Sequence, residues 1–250
     1  MTSLIPASLS QALAQAQHVV VLTGAGISAE SGIPTFREAQ TGLWAQYDPQ
    51  ELATPEAFAR NPRLVWQWYT WRRQLIRAAQ PNPGHLALVK LAGRVPRSTL
   101  ITQNVDNLHQ DAGNTDVLEL HGNIFRSKCF RENVLIASWP ESEEGPPPCP
   151  HCGGPLRPDV VWFGESLPRD VLERAIAAAA AADLFFTIGT SGLVQPAASL
   201  PLMAQQAGAI TVEINPQATP LTASMNYHLA GASGEILPQL VAAAGHLTLP

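Results

Sequence analysis

The chain has 250 residues, enough for one substantial core or for one main domain carrying a smaller insertion. With 46% hydrophobic and 14% charged residues its composition is globular rather than disordered. A formal net charge of -5 argues against a protein that grips nucleic-acid backbone, yet suits a lysine-rich substrate. Its 3 cysteines are too few, and odd in number, for a disulfide framework, and fit a reducing cytoplasm. Met1 to His18 has neither a basic leader nor a continuous apolar stretch, so no secretory signal is expected. The alanine run Ala175–Ala182, soon interrupted by Asp183, reads as a packing helix, and no membrane span is expected.

Solid apolar runs at His18–Thr23, Thr99–Thr102, Val117–Leu120, Asp183–Ile188 and Ala209–Ile214 predict strands buried in a parallel sheet. Helical stretches at Arg169–Ala182 and Pro196–Ala207 flank the last runs. The fold class expected is α/β: a doubly wound, mainly parallel, Rossmann-like sheet with ligands at the strands' C-terminal ends. Two segments interrupt the alternation. Pro49–Gln80, with Trp, Arg and Gln at helical spacing, predicts a helical cap; Arg126–Arg157, rich in Pro, Cys and Gly, predicts a small module not held by a core of its own. Residues 1-35, 81-125 and 158-250 are thus assigned to the sheet, and 36-80 and 126-157 to a smaller domain.

The first apolar run leads into Gly24-Ala25-Gly26, where glycines would let the backbone pass close to a pyrophosphate. A tight turn without a ligand explains the triplet equally well, and the next glycine, Gly32, departs from regular dinucleotide-binding spacing. That spacing argues against a hydride-transferring dehydrogenase. The longer string from Gly24 to Arg37, followed by Gly42-Leu43-Trp44, resembles the N-terminal NAD loop of sirtuins almost residue for residue. The resemblance implies that Gly24, Ala25, Gly26, Ser28, Glu30, Thr35, Phe36, Arg37 and Trp44 serve NAD, with Phe36 and Arg37 on a mobile loop.

Two polar clusters follow later strands: Gln103-Asn104-Val105-Asp106 and Leu120-His121-Gly122. Taken singly, such residues commonly cap or turn the chain. In this order they are similar to sirtuin motifs, which assigns Gln103, Asn104, Val105 and Asp106 to NAD and makes His121 the catalytic base, with Asn104 and Asp106 beside it. Histidine suits the task because its unperturbed pKa of about 6.5 lets it accept a proton near neutrality. His109 is expected to pack or cap a helix. Gly189-Thr190-Ser191 resembles the second phosphate and ribose turn, Asn215-Pro216-Gln217 the adenosine ribose site, and Gly231-Ala232-Ser233 the segment closing over adenine. The resemblance spans roughly Val19 to Leu240.

The activity implied is NAD-dependent removal of acyl groups from protein lysines. The acyl oxygen attacks C1′ of the nicotinamide ribose as nicotinamide leaves. His121 takes a proton from the ribose hydroxyls, and water completes release of lysine and O-acyl-ADP-ribose. Val160, Val161, Trp162, Phe163 and Gly164 resemble the strand that pairs with the substrate peptide, Val161 and Phe163 lying along the lysine tunnel. Tyr69 and Arg72, three apart on a helix, share a face and could clamp a carboxylate. Tyr-x-x-Arg resembles the sirtuin class preferring succinyl- and malonyl-lysine, where a charged hydrogen bond contributes about 1.5–3 kcal/mol.

Cys149 and Cys152 form half a zinc knuckle. By resemblance a second Cys pair should lie upstream, but Cys129 stands alone, with Glu132 where its partner would fall. A three-thiolate structural zinc site completed by Glu132, His151 or water, a weakened site and a metal-free loop all remain open. Acyl-lysine proteins are the expected partners of a monomer. The rival functions are a non-catalytic NAD or ADP-ribose binder, which would not need His121, and a protein ADP-ribosyltransferase.

Overall fold

The computed structural model describes residues 5–34, 47–140, 142 and 144–245. In chain order its elements are α1 (Ala7–Gln15), β1 (His18–Thr23), α2 (Gly26–Ala29), α3 (Pro49–Leu52), α4 (Pro55–Arg60), α5 (Pro62–Ala78), α6 (Pro83–Ala92), β2 (Arg97–Thr102), α7 (Leu108–Asp111) and β3 (Val117–Glu119). There follow β4 (Gly122–Cys129), β5 (Leu135–Ile136), β6 (Leu156–Val160), α8 (Arg169–Ala180), β7 (Leu184–Ile188), α9 (Leu200–Gln206), β8 (Ile210–Asn215), β9 (Tyr227–Ala230) and α10 (Ser233–Gly245).

Six strands form one sheet in the order β3-β2-β1-β7-β8-β9, and every neighbouring pair is parallel. This is the α/β architecture expected. β1 and β7 are buried along their whole length, which is why both read as unbroken apolar runs. Alternate residues face opposite sides. Val19 and Val21 pack with α1, α6 and α10 through Leu13, Leu88 and Leu237, whereas Val20 and Leu22 pack with α8 and α9 through Ala178 and Leu200. The strand order reverses between β1 and β7, opening a crevice at their C-terminal ends.

The expected helical cap resolves into three helices, because each restart is encoded by a capping residue followed by proline. Thr54 Oγ1 accepts from Ala57 N at 3.1 Å ahead of Pro55, and Asn61 Oδ1 accepts from Leu64 N at 3.1 Å ahead of Pro62. The predicted helix at Pro196–Ala207 begins instead with a 3-10 turn, Ala197–Ser199, and becomes α-helical from Leu200.

The cysteine-containing segment contributes to a three-stranded antiparallel sheet, β5-β4-β6, with its own apolar cluster of Trp66, Cys129, Ile136, Cys149 and Leu156. It therefore has a core, contrary to expectation, shared with α5 through Trp66. The boundaries expected at 125/126 and 157/158 fall inside β4 and β6, which pair with each other. Among the described residues no helix is long and apolar enough to cross a membrane.

Candidate active site

Two glycine turns meet at the reversal point. Gly24 N donates to Ile188 O at 2.9 Å and Gly26 N to Gly189 O at 2.8 Å. A Cβ on Gly26 would lie 2.7 Å from Gly189 Cα, and one on Gly189, at φ +60°, would lie 2.4 Å from Ile27 N. Gly24 and Gly26 are thus set by the approach of two turns, whereas Gly32, at φ +80° with nothing within 4 Å of a would-be Cβ, is set by its backbone conformation alone.

Ser28, on α2, anchors a buried network under the crevice. Its hydroxyl donates to Asp106 Oδ2 at 2.7 Å and accepts from Asn104 Nδ2 at 3.1 Å, while Asp106 Oδ1 accepts from Leu108 N at 3.0 Å. Burial pushes the Asp106 carboxyl above its ordinary value; the hydrogen bonds from Ser28 and Leu108 oppose that shift.

Beneath lie two histidines with no sequence signal of function. His85 Nδ1 accepts from Asn82 N at 3.3 Å as the third residue of a capping box, and its Nε2 comes within 3.5 Å of Ser28 Oγ. His109 is buried as expected, with Nε2 2.8 Å from Thr23 Oγ1, and its ring centre is 4.9 Å from that of His85. Burial lowers the pKa of His85 to about 4 and that of His109 to about 3. Only the capping position of His85 behind Asn82-Pro83 could have been read from sequence.

His121 sits where β3 gives way to β4. Gly122 follows at φ +78°, where a Cβ would fall 2.1 Å from Asp159 O, so only glycine permits this approach to β6. His121 Nδ1 lies 2.9 Å from the carbonyl oxygen of Gln103, which makes Nδ1 the protonated nitrogen, and Nε2 meets no protein partner among the described residues. Burial lowers its pKa below 6.5, opposed by the bond to Gln103. Nε2, unprotonated in this tautomer, is left able to accept a hydrogen bond.

Gln103 Nε2 donates to Thr190 Oγ1 at 3.0 Å, and Asn215 Nδ2 donates to Thr190 O at 2.8 Å, so the ends of β2, β7 and β8 are tied together. Ser191 is half-buried nearby, Val105 O accepts from Ile124 N, and Pro216 and Gln217 are exposed. Glu30 caps α10, accepting from Ser233 Oγ at 3.1 Å and Gly234 N at 2.8 Å, which places Ala232 beside α2. Both bonds use Oε1, and Oε2 accepts no hydrogen bond among the described residues. Thr35, Phe36, Arg37 and Trp44 lie outside the described residues.

The expected substrate strand ends at Val160; residues 161–165 form a turn. Val161 N donates to His121 O at 2.9 Å, which joins this turn to the histidine, and Phe163 is 43% exposed. Gly164, at φ +86°, is exposed. The Trp162 side chain faces inward at 2% exposure, so any contact it makes with a peptide is through its main chain. Its Nε1 donates to Tyr69 Oη at 2.8 Å. Tyr69 is buried and Arg72 half-buried on the same face of α5, the Arg72 guanidinium lying 5.0 Å from the centre of the Trp68 ring. Burial raises the phenol pKa of Tyr69, and the nearby Arg72 charge opposes the rise.

Residues 24–196 match the model of the Sir2 family. The chain belongs to the Sir2 family. It is 51% identical over 239 residues to NAD-dependent protein deacylase 1 of Pseudomonas aeruginosa, covering 92% of this chain and 95% of that one. Its fold overlays a Sir2 homologue solved in complex with NAD at a TM-score of 0.89 and 46% identity, across 97% of this chain and 94% of that one. Sir2 bound to an acetylated peptide overlays at 0.83 with 30% identity, across 95% and 98% respectively.

This Sir2-family chain gathers Cys129, Glu132, Cys149 and Cys152 so that one ligand atom from each lies within 4.8 Å of the others. Glu132 N and Gly154 N each donate to a sulfur, of Cys129 and Cys152, at 3.4 Å. His151 is exposed and stands outside the group. The fold therefore brings Glu132, and not His151, to the three thiols.

Proposed function

We propose that the chain removes acyl groups from protein lysines at the expense of NAD, with His121 as general base. The observation that carries this is the fixed tautomer of His121, whose Nδ1–H is engaged by Gln103 O while Nε2 stays open. A binding module has no need of such a base. Support also comes from the relative named as an NAD-dependent deacylase and from the overlay on an NAD complex.

In this reading NAD supplies the electrophilic ribose carbon that the acyl oxygen attacks. The turns at Gly24–Gly26 and Gly189–Ser191, with Asn215 at the end of β8, line its crevice. Gln103, Asn104, Val105 and Asp106 hold the nicotinamide end, Ser28 keeping the Asn104 amide and Asp106 carboxyl in fixed orientation. Glu30 acts through α10, holding the segment around Ala232. His121 Nε2 receives a proton from a ribose hydroxyl. The turn at 161–164 receives the substrate peptide.

Tyr69 and Arg72 favour a carboxylate-bearing acyl group, succinyl or malonyl, over acetyl, because a guanidinium can give such a carboxylate two charge-assisted hydrogen bonds. Cys129, Cys149, Cys152 and Glu132 hold a structural zinc ion, and the three unpaired thiols suit a reducing compartment.

The test is mass spectrometry of acetyl- and succinyl-lysine peptides incubated with and without NAD. Expected are NAD-dependent deacylation and nicotinamide release, both lost in His121→Ala. NAD consumption that leaves ADP-ribose on protein, with lysines still acylated, would replace this reading with transfer. Arg72→Met should lower desuccinylation ten- to a hundredfold more than deacetylation; an equal loss would remove the acyl preference from the account.

A further inference from the structure

The turn after β6 contains an ion pair that the crevice does not use. Arg157, buried on β6, donates to both oxygens of Glu165 and to Val160 O, and its guanidinium lies 3.3 Å from the centre of the Trp162 ring. Glu165 in turn accepts from Trp162 N at 2.8 Å. Trp162 is thereby fixed across its ring face and at its main chain, and its indole nitrogen stays 2.8 Å from Tyr69 Oη.

An indole N–H can only donate, so the phenol oxygen of Tyr69 must accept in this contact. The phenol hydrogen then points elsewhere, and it meets no acceptor among the described residues although Tyr69 is only 1% exposed. Buried donors without a partner are rare in folded proteins. One that persists on the same helical face as an arginine points toward a ligand atom that accepts.

We propose that Trp162 is a positioning residue for acyl selection: by donating to Tyr69 Oη it turns the phenol hydrogen toward the carboxylate of a bound acyl group. The inference rests on the reading of Tyr69 and Arg72 as a carboxylate clamp and adds the element that orients it. Without the indole donor, the phenol is free to rotate its hydrogen away from the acyl group, and part of the preference disappears while the ring itself stays in place.

The experiment compares kcat/KM for succinyl- and acetyl-lysine peptides of one sequence. Its enzymes are the wild type, Tyr69→Phe, Trp162→Phe, the double variant, and a chain carrying benzothienylalanine at 162. That analogue keeps the indole shape and lacks only the N–H, so it holds the fold even where phenylalanine does not. Expected is a three- to tenfold fall in the succinyl-to-acetyl ratio for both changes at 162, with no further fall when Trp162→Phe is added to Tyr69→Phe. A benzothienyl chain that keeps the wild-type ratio, while Tyr69→Phe lowers it, overturns the role of Trp162 and leaves the clamp standing. Independent, multiplying losses in the double variant also overturn it. A wild type that does not prefer succinyl-lysine overturns both readings.

Discussion

The imidazole of His121 is held from behind by Gln103, whose carbonyl oxygen stands 2.9 Å from Nδ1. Gln103 also donates from its side chain to Thr190, so the residue that sets the tautomer of His121 also links the ends of β2 and β7. Position and tautomer of His121 are thus fixed by one residue at the strand-order reversal.

Burial lowers the pKa of His121, and a base acts in its neutral form, so activity falls on the acid side and is retained above it. The acid limb of kcat/KM should have its midpoint below 6.5, the ordinary histidine value. His121→Ala should reduce kcat by roughly 10²–10⁴-fold with an unchanged melting temperature. An acid limb above 6.5, or full activity in the alanine variant, would remove His121 from the reaction.

The buried pair beneath the crevice should make the fold acid-sensitive. His85 and His109 have pKa values of about 4 and about 3 in the fold, against 6.5 when unfolded. Between 6.5 and about 4 the unfolded chain therefore binds more protons, so stability falls as pH drops through that window and does not change above it on their account. Each histidine contributes a loss on the order of 2 kcal/mol between pH 7 and pH 5. Urea unfolding at the two pH values checks this, and His109→Gln should flatten the dependence. An equally steep dependence in that variant would place the acid sensitivity elsewhere.

What the sequence made legible follows from burial. β1 and β7, covered on both faces, leave uninterrupted apolar runs, whereas β9, with only Leu229 buried, leaves none and went unread. Alternation past Val160 separates Trp162 from Val161 and Phe163, but it does not say which side faces the core. The hydrogen bond from Trp162 to Tyr69 joins positions 93 residues apart, which no local pattern records. The approach of His85 and His109 to each other and to Ser28 and Thr23 was equally silent, because a buried polar side chain is defined by partners distant in sequence. Glu132 was one of several completions of the cysteine group until the fold set it beside the thiols.

Two glycines with positive φ separate backbone strain from collision. Gly208, at φ +100°, has nothing within 4 Å of its would-be Cβ, whereas that of Gly189, at φ +60°, meets Ile27 N at 2.4 Å. Gly208→Ala should cost about 1–2 kcal/mol, the strain of a left-handed alanine alone. Gly189→Ala should cost roughly 2 kcal/mol more, because main-chain atoms must move, and should weaken NAD binding as well. Denaturant titrations with calorimetric NAD binding distinguish the two; equal costs would mean that the turns do not touch as described.

The cysteine group should hold zinc for stability and not for chemistry. β4 begins at Gly122, next to His121, and ends at Cys129, so the group stands at the far end of the strand from His121. Metal analysis should find one zinc per chain, and a chelator should lower the melting temperature, since structural zinc contributes folding free energy. A carboxylate is a harder ligand than a thiolate, so Glu132→Cys should slow zinc loss to the chelator and Glu132→Ala should hasten it. In both variants the acid limb of kcat/KM should stay where it is in the wild type. Equal rates of zinc loss in the wild type and Glu132→Ala would exclude the carboxylate as a ligand, and a metal-free wild type would exclude the site.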